Sequence, residues 1–442
     1  MADECKRQRW YVVWLISLFQ ILKSWVLIPI LASLVGTILV TRAVANVMGP
    51  SSYTIYVVGD FGRSASERIY QVFRHEHLPR FGDLPLRVTR TDDHGDPADA
   101  ARIAARICRG ASDALMVIGH VTSSQTKAAL PIYLAAKPPV PVILPMETTP
   151  DLAPPKSQKV GYDPILQLSP TDDQQAQAAA EFLSTRKAKA VWVVEDTDNS
   201  VYSNYLANAF IRAVQTRNTN GEKMNDEETN GEKIVLWSTN KSPPTAQAIR
   251  ELNINWVFFA GRRQNGLILV TQLHAIYPTN TPNIILSDAS AEQDMINDGG
   301  EDVDGVYVTS PIPVTEFERD KSSEDYHNIY GNRAFAVVES VLEDANTTSS
   351  VDAVGQSLGF FALVRRFLGV RRIADARNLL IATMEAEQRE GHTITLTDGT
   401  KIKFGVDDAG NDGVRIDKNA KFYIWKVDKT QNKFVEPSAS SS

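Results

Sequence analysis

Residues 114–119, ALMVIG, decide the fold, together with the second apolar run PVILP at residues 141–145. An uninterrupted apolar run of this length, bounded by glycine or proline, is typical of a strand that is buried on both faces. A polar turn and a stretch long enough for a helix separate the two runs. Strand, helix and strand in this order predict a parallel sheet, because parallel strands need a crossover connection.

The same alternation extends in both directions along the chain. Before this stretch, strands are predicted at residues 53–59 and 86–89 and helices at 66–75 and 97–109. After it the pattern restarts with six further elements: strands at 190–194, 234–237, 256–259 and 283–286, and helices at 202–216 and 246–251. Two successive runs predict an α/β fold of two lobes, each a doubly wound parallel sheet with helices on both faces. Such sheets bind ligands at the carboxyl ends of their strands.

The composition excludes several classes of protein. The 442 residues include 46 lysines and arginines against 53 aspartates and glutamates, so the formal net charge is −7. Nucleic-acid binding needs clustered positive charge, and we therefore expect no nucleic-acid partner. The two cysteines, Cys5 and Cys108, can build neither a disulfide framework nor a structural zinc site.

No motif in the sequence predicts catalysis or a bound cofactor. The glycine patterns that bind nucleotide phosphates are absent, and the seven histidines lack paired metal-ligand spacing. Residues 355–359, GQSLG, match the nucleophile-elbow pattern, but they fall in a predicted helical run and not between a strand and a helix. Residues 407–413, DDAGNDG, lack the closing glutamate of a calcium loop and are predicted to form a hairpin turn. We therefore expect the chain not to be an enzyme and predict no cofactor or metal.

The first 49 residues differ from the rest of the chain. Residues 10–40 are mostly apolar, and residues 25–41 contain no charge over a length that just spans a bilayer. This apolar block is longer than the core of a signal peptide, which favours an uncleaved membrane anchor. The alternative is a cleaved signal, because residues 43–45, AVA, form an acceptable cleavage site.

Three basic residues precede the apolar block and predict its orientation: Lys6, Arg7 and Arg9. Positive charge stays on the cytoplasmic side, so everything beyond about residue 50 is predicted to be exported. The expected localisation is the cell membrane, single-pass, with the main part periplasmic or extracellular. A cleaved chain would be secreted.

Several loops, taken together and in order, resemble one family. These segments are 91–97 (TDDHGDP), 119–126 (GHVTSSQT) with 131–133 (PIY), 145–152 (PMETTPDL) and 168–174 (LSPTDDQ). Their order and spacing resemble those of type I periplasmic solute-binding proteins, and the loops at 119 and 145 resemble the ligand loops of the branched-chain amino-acid (Leu/Ile/Val) binding proteins. The resemblance runs from about residue 53 to 428.

The resemblance implies a division of the chain. Two lobes joined by three crossovers would close on a small ligand. The implied lobes are a first lobe at 52–169 plus 312–395 and a second lobe at 170–311 plus 396–434. The composition predicts a cytoplasmic tail with an anchor or signal at 1–49 and a disordered, serine-rich tail at 435–442.

We predict seven ligand-binding residues, of which the resemblance implies Ser123, Met146, Thr148, Tyr202 and Asp288. They follow the carboxyl ends of predicted strands or begin the next helix: Ser123, Ser124, Met146, Thr148, Tyr202, Arg262 and Asp288. Hydroxyl groups at a strand-to-helix turn suit a carboxylate, because free N–H groups and the helix dipole converge there. Asp288, which follows a predicted strand, would accept a hydrogen bond from an ammonium group.

Each of these residues also has a structural interpretation. Ser and Thr side chains often cap helices, as the residues at 123, 124 and 148 could. Asp288 could stabilise a turn, Tyr202 could pack on Tyr205, and Arg262 could be solvated. Glu147 could be a surface charge, as loop acids usually are.

The predicted function is that of an exported, membrane-tethered solute-binding module. It would close its lobes on an amino acid or similar small polar ligand and present that state to an ABC-type permease or a membrane receptor. Arg262, where the branched-chain binders have a tyrosine, and the short Asp288 argue against leucine, isoleucine and valine as ligands. The alternative is an ectodomain of the same fold that binds no ligand and acts through protein contacts.

Overall fold

The structure is a computed structural model. It describes residues 33, 36, 52–62, 64–82, 84–110, 113–150, 152, 164–186, 188–196, 200–224, 235–238, 247, 251–278, 281–319, 327–348, 373–389, 393–395, 401–405, 415–417 and 420–438. The chain divides into two compact units, of which one comprises residues 1–51 and 357–373 and the other residues 52–356 and 374–442. Apart from residues 33, 36 and 373, the described residues lie in the second unit.

The first sheet contains seven of the described strands. They are β1 Tyr53–Gly59, β2 Leu86–Asp92, β3 Ala114–Ile118, β4 Val142–Leu144, β5 Ile165–Gln167, β13 Phe404–Gly405 and β14 Arg415–Asp417. Their spatial order is β13-β14-β5-β4-β3-β1-β2, and all neighbours are parallel except β13 and β14. β1 and β3 lie side by side at the point where the chain reverses its direction of winding, so the loops that follow them face a ligand crevice.

The second sheet repeats this plan. Its described strands are β6 Ala190–Glu195, β7 Val235–Ser238, β8 Trp256–Ala260, β9 Asn283–Leu286, β10 Tyr307–Ser310, β15 Tyr423–Asp428 and β16 Lys433–Val435. Their order is β16-β15-β10-β9-β8-β6-β7, with β15 and β16 antiparallel to their neighbours. The first five strands of each sheet therefore have the same order. A separate two-stranded sheet joins β11 Ile394–Thr395 to β12 Lys401–Ile402.

Ten described helices accompany the strands. They are α1 Ser64–His75, α2 Pro97–Gly110, α3 Ser123–Ala135, α4 Asp172–Thr185, α5 Ser200–Met224, α6 Arg263–Ile276, α7 Gln293–Gly299, α8 Val314–Arg319, α9 His327–Thr348 and α10 Ile373–Arg389. α4 begins cleanly because Thr171 and Gln174 form a reciprocal capping box. In the second lobe, α4 and α5 bury apolar faces against the sheet, where the rings of Phe210 and Phe258 stack with centroids 4.1 Å apart.

The predicted α/β class and the parallel sheets are confirmed, and most predicted strands lie within a residue or two of their observed bounds. The predicted helix at 246–251 falls mainly outside the described residues, as do residues 355–359 and 407–413. The anchor predicted within residues 1–49 also lies outside them, apart from the helical Ser33 and Gly36. Searched over its described residues, the chain has no helix that combines the length and the hydropathy needed to cross a bilayer.

Two predicted domain limits differ from the structure. Residues 404–417 were assigned to the second lobe with 396–434, but β14 pairs with β5 and so belongs to the first sheet. Only the segment around β15 and β16 joins the second sheet. The tail predicted to be disordered from residue 435 begins too early, because Val435 ends β16 and Arg186 donates a hydrogen bond to the carbonyl oxygen of Ser438 at 2.7 Å.

Candidate functional site

The candidate site lies where the two lobes meet, at the carboxyl ends of both sheets. α3 begins just after β3 in the first lobe, and α5 begins just after β6 in the second. These two helices contact each other across the cleft. Their first turns carry two of the predicted ligand residues, Ser123 and Tyr202, both of which are buried.

Glu147 is the central acidic group of the first-lobe side. It follows β4, is 1% exposed, and accepts a hydrogen bond from the backbone N–H of Thr149 at 2.9 Å on Oε1. Burial raises the pKa of Glu147, while the Thr149 N–H and the hydroxyls of Ser123 and Thr126 lower it by stabilising the ionised form. The second carboxylate oxygen of Glu147, Oε2, is buried and accepts no hydrogen bond from the described residues.

The second lobe contributes a hydrogen-bonded cluster around Asp288. Tyr202 donates a hydrogen bond to Asp288 Oδ1, and Gln175 Nε2 donates to the same oxygen at 3.0 Å. Gln175 Nε2 also donates to Thr309 Oγ1 at 2.7 Å. Burial raises the pKa of Asp288, and the hydrogen bonds from Tyr202 and Gln175 lower it. Three elements, α4, α5 and β10, thereby fix the orientation of one carboxylate.

Asp172 interacts electrostatically with both Glu147 and Asp288. It is the first residue of α4 and is fully buried; its backbone N–H donates to the Thr148 carbonyl oxygen at 2.7 Å, and its Oδ2 accepts from the Thr149 hydroxyl at 3.3 Å. Burial raises the pKa of Asp172 well above its usual value, and the negative charges of Asp288 and Glu147 raise it further. Asp172 therefore interacts electrostatically with acidic groups from both lobes.

A buried hydrogen-bonded chain supports the loop that leads into α3. The His120 imidazole lies 2.6 Å from Asp93 through Nδ1 and 3.3 Å from the Tyr133 hydroxyl through Nε2. Asp93 also accepts from the backbone N–H of Gly95 at 3.0 Å. Gly119, just before His120, has φ +113° and approaches the Val58 backbone closely, so that a Cβ there would lie 2.0 Å from the Val58 carbonyl oxygen.

Four predicted residues, Ser123, Thr148, Tyr202 and Asp288, are buried, and Tyr202 is hydrogen-bonded to Asp288. The helix-capping interpretation does not apply to residues 123 and 124, because the N-cap of α3 is Thr122. Tyr202 bonds to Asp288, while Tyr205 donates instead to Asp173.

The other three predicted residues are less buried. The Ser124 hydroxyl donates to its neighbour Gln125 at 2.8 Å, and Met146 is half-buried. Arg262 is the N-cap of α6, and its backbone N–H donates to Asp196 Oδ2 at 2.9 Å. The guanidinium of Arg263 lies 3.0 Å from Asp298.

Three buried residues of the site were not predicted from the sequence: Glu147, Asp172 and Gln175. The alternative that Glu147 is a surface charge is wrong, because the residue is 1% exposed. A signal was present, since Glu147 stands inside the resembling segment 145–152, next to two predicted ligand residues. Within the described ranges, no cluster of three or more His, Cys, Asp or Glu side chains has the arrangement to hold a metal ion.

Comparison with known proteins gives a consistent result. The model of a family described as "Periplasmic binding protein" matches residues 80–342. The Leu/Ile/Val-binding protein BraC3 of Rhizobium johnstonii is 29% identical to this chain over 282 residues, which cover 60% of this chain and 70% of that protein.

Solved structures of similar fold include the following two. One is the leucine-binding protein LivK of Thermotoga maritima, with a TM-score of 0.60 and 18% identity over 87% of this chain and 98% of that one. The other is LivJ of Streptococcus pneumoniae in complex with isoleucine, with a TM-score of 0.57 and 15% identity over 87% of this chain and all of that one.

Proposed function

This chain belongs to the periplasmic binding protein family, and we propose that it binds a small polar ligand with an amino group in the cleft between its two lobes. The observation that carries this proposal is the Asp288 carboxylate, buried at the cleft and oriented by Tyr202 and Gln175. A fixed, desolvated carboxylate is a strong acceptor for an ammonium group. Ligand pockets in general combine burial with a few convergent polar groups of this kind.

The relatives support the same class of solute. BraC3 is by its name a binding protein for leucine, isoleucine and valine, and LivJ was solved with isoleucine. Each of these amino acids has an ammonium group, which is the group that Asp288 is suited to accept. Ser123, Ser124, Met146, Thr148, Tyr202, Arg262 and Asp288 remain the proposed ligand-binding set, to which Gln175 is added as a positioning residue.

Lobe closure would carry the signal to a membrane partner. The contact between α3 and α5 crosses the cleft, so a ligand between their first turns would stabilise the closed arrangement. A permease of the ABC type or a membrane receptor that recognises the closed surface would then respond to the ligand. We further propose that residues 1–49 tether the module to the membrane, because residues 25–41 are uncharged over a bilayer-spanning length.

The test is a thermal-shift screen of the full chain in mild detergent. Amino acids, amino-acid amides, amines and sugars are added one at a time, and the ligand found is titrated against Asp288→Ala. A ligand at 100 times its dissociation constant stabilises the folded state by about 2.7 kcal/mol, which raises the melting temperature by several degrees. A shift that is lost in Asp288→Ala supports the proposal. The absence of any shift across the panel would overturn it in favour of a module that acts through protein contacts.

A further inference from the structure

The cleft offers a ligand buried hydrogen-bond acceptors in excess of donors. Three side-chain oxygens from this region are buried and make no hydrogen bond: Glu147 Oε2, Asp172 Oδ1 and Gln175 Oε1. Each belongs to a side chain that is at most 1% exposed. A buried acceptor without a donor is costly, so these positions favour a molecule that brings N–H groups to them.

Glu147 is the buried carboxylate on the first-lobe side of the cleft. The hydroxyls of Ser123 and Thr126 and the backbone N–H of Thr149 are the donors at the first turn of α3 and the end of β4 that could otherwise receive a carboxylate from a ligand. The Thr149 N–H already donates to Glu147 Oε1 at 2.9 Å, and the Thr126 hydroxyl donates to the Thr122 carbonyl oxygen at 3.0 Å. A second carboxylate at the same place would meet a like charge in a site that excludes water.

Asp172 extends the same preference toward the second lobe. Its electrostatic interactions include those with both Asp288 and Glu147, and neither Asp172 nor Glu147 forms an ion pair with a Lys, Arg or His in the described part of the chain. Two buried carboxylates without a counter-charge are suited to a cationic group.

We propose that the ligand of this cleft is a small aliphatic amine without a free carboxylate, such as an amino-acid amide or a short diamine, and that Glu147 excludes zwitterionic amino acids by occupying the first-lobe carboxylate position. One nitrogen would donate to Asp288 and Asp172, and a second amino or amide nitrogen would donate to Glu147. This inference rests on the proposed function and names its class of solute.

The experiment is isothermal titration calorimetry on the full chain in mild detergent. Three probes have related aliphatic skeletons and different charges: leucine, leucinamide and 1,5-diaminopentane. The wild-type chain should bind leucinamide or the diamine at least about tenfold more tightly than leucine, a difference that corresponds to about 1.4 kcal/mol. Glu147→Gln removes the charge with little change of shape and should reduce that ratio about tenfold or more.

Two further variants make the result specific. Asp172→Asn should weaken binding of the diamine and leave leucine binding unchanged or stronger, and it provides a second test if Glu147→Gln does not fold. Asp173→Asn is the matched control, because this neighbouring carboxylate is 45% exposed and accepts from Tyr205 and Arg212. It should leave all three affinities within about twofold of wild type, as surface substitutions usually do.

The outcomes separate this inference from the proposed function. Leucine binding as tightly as leucinamide, or a ratio unchanged in Glu147→Gln, would overturn the inference and leave the proposed function standing. Folded protein that binds none of the probes and gives no shift in the wider screen would overturn the proposed function itself. A shift with neutral sugars alone would overturn the amine class.

Discussion

The Tyr202 hydroxyl donates a hydrogen bond to Asp288 Oδ1, although the two residues are 86 positions apart in the sequence. Tyr202 lies in the first turn of α5, and Asp288 follows β9, so the bond joins two separate elements of the second lobe. Burial raises the pKa of Tyr202 well above its ordinary value, and the charges of Asp288 and Asp172 raise it further. Tyr202 therefore stays protonated and acts as a donor that holds the carboxylate in place.

We expect Tyr202→Phe to weaken ligand binding without unfolding the chain. The phenyl ring preserves the packing of Tyr202 in the core cluster of the second lobe, while the bond to the carboxylate is lost. A hydrogen bond to a charged group contributes about 1.5–3 kcal/mol, which predicts a dissociation constant at least about tenfold higher. Calorimetric titration with the ligand found in the screen measures this change.

Tyr205→Phe is the control for that substitution. The Tyr205 hydroxyl donates to Asp173 at 2.9 Å, outside the set of buried cleft residues. The control should bind with an affinity close to that of the wild type. Equal losses in the two variants would mean that Tyr202 has no specific role in the cleft.

The stability of the ligand-free chain should depend on pH through Asp172. An aspartate in the unfolded chain has a pKa of about 3.9. In the folded chain, burial and the negative charges of Asp288 and Glu147 raise the pKa of Asp172 well above that value. The folded state therefore binds the Asp172 proton more tightly than the unfolded state does. The resulting stabilisation is fully present below about pH 3.9 and is lost as the pH rises through the raised pKa. Asp172→Asn cannot ionise, so it does not undergo this loss.

The measurement is the difference in melting temperature between Asp172→Asn and wild type, taken from about pH 4 to about pH 8. The variant should gain stability relative to wild type as the pH rises. Asp173→Asn again serves as the partly exposed control. A constant difference for Asp172→Asn over the whole range would show that this carboxyl group does not control the pH dependence.

His120→Ala should destabilise the first lobe strongly. The imidazole and the Asp93 carboxylate are each 1% exposed and 2.6 Å apart, so the substitution leaves a buried carboxylate without its main partner. A buried hydrogen-bonding group that loses its partner costs about 1–3 kcal/mol in the free energy of unfolding, and more where the group is charged. Urea denaturation measures the effect. His77→Ala, at an exposed position, should stay within about 0.5 kcal/mol of wild type.

Gly119→Ala should be more damaging than Gly300→Ala. Both glycines have positive φ, which disfavours alanine by about 1–3 kcal/mol. A Cβ at residue 119 would in addition overlap the Val58 carbonyl oxygen, whereas nothing lies within 4 Å of a Cβ at residue 300. The comparison by urea denaturation therefore separates backbone conformation from steric overlap. Similar losses in both variants would contradict the predicted overlap at Gly119.

The sheets were predictable because their strands are continuous apolar runs. Residues 53–59 and 283–286 coincide with observed strands, since burial on both faces removes polar residues from a parallel strand. The strands β13 and β14 were placed in the wrong lobe. They contain two and three residues, so their pairing depends on tertiary contacts that no local pattern records.

The site was predictable only in part, for a related reason. Ser123 and Asp288 follow predicted strands, so their approach to the cleft could be inferred from the fold. Glu147 could not be distinguished from a solvated loop acid, because its burial arises only when the loop after β4 packs beside the first turn of α3. Asp172 has the sequence context of a helix start, which is also where it lies. Its proximity to Glu147 of the first lobe depends on how the lobes meet.

The pairing of β14 with β5 has a consequence for the order in which the parts of the chain fold. Arg415 lies opposite Leu166, so about 250 residues, including the five parallel strands of the second sheet, are synthesised between the two partners. The first sheet thus reaches its full width only when the carboxyl-terminal segment is available, and β15 and β16 complete the second sheet from the same segment. Contacts of such high sequence separation slow folding. Both lobes should therefore reach their native form late and together.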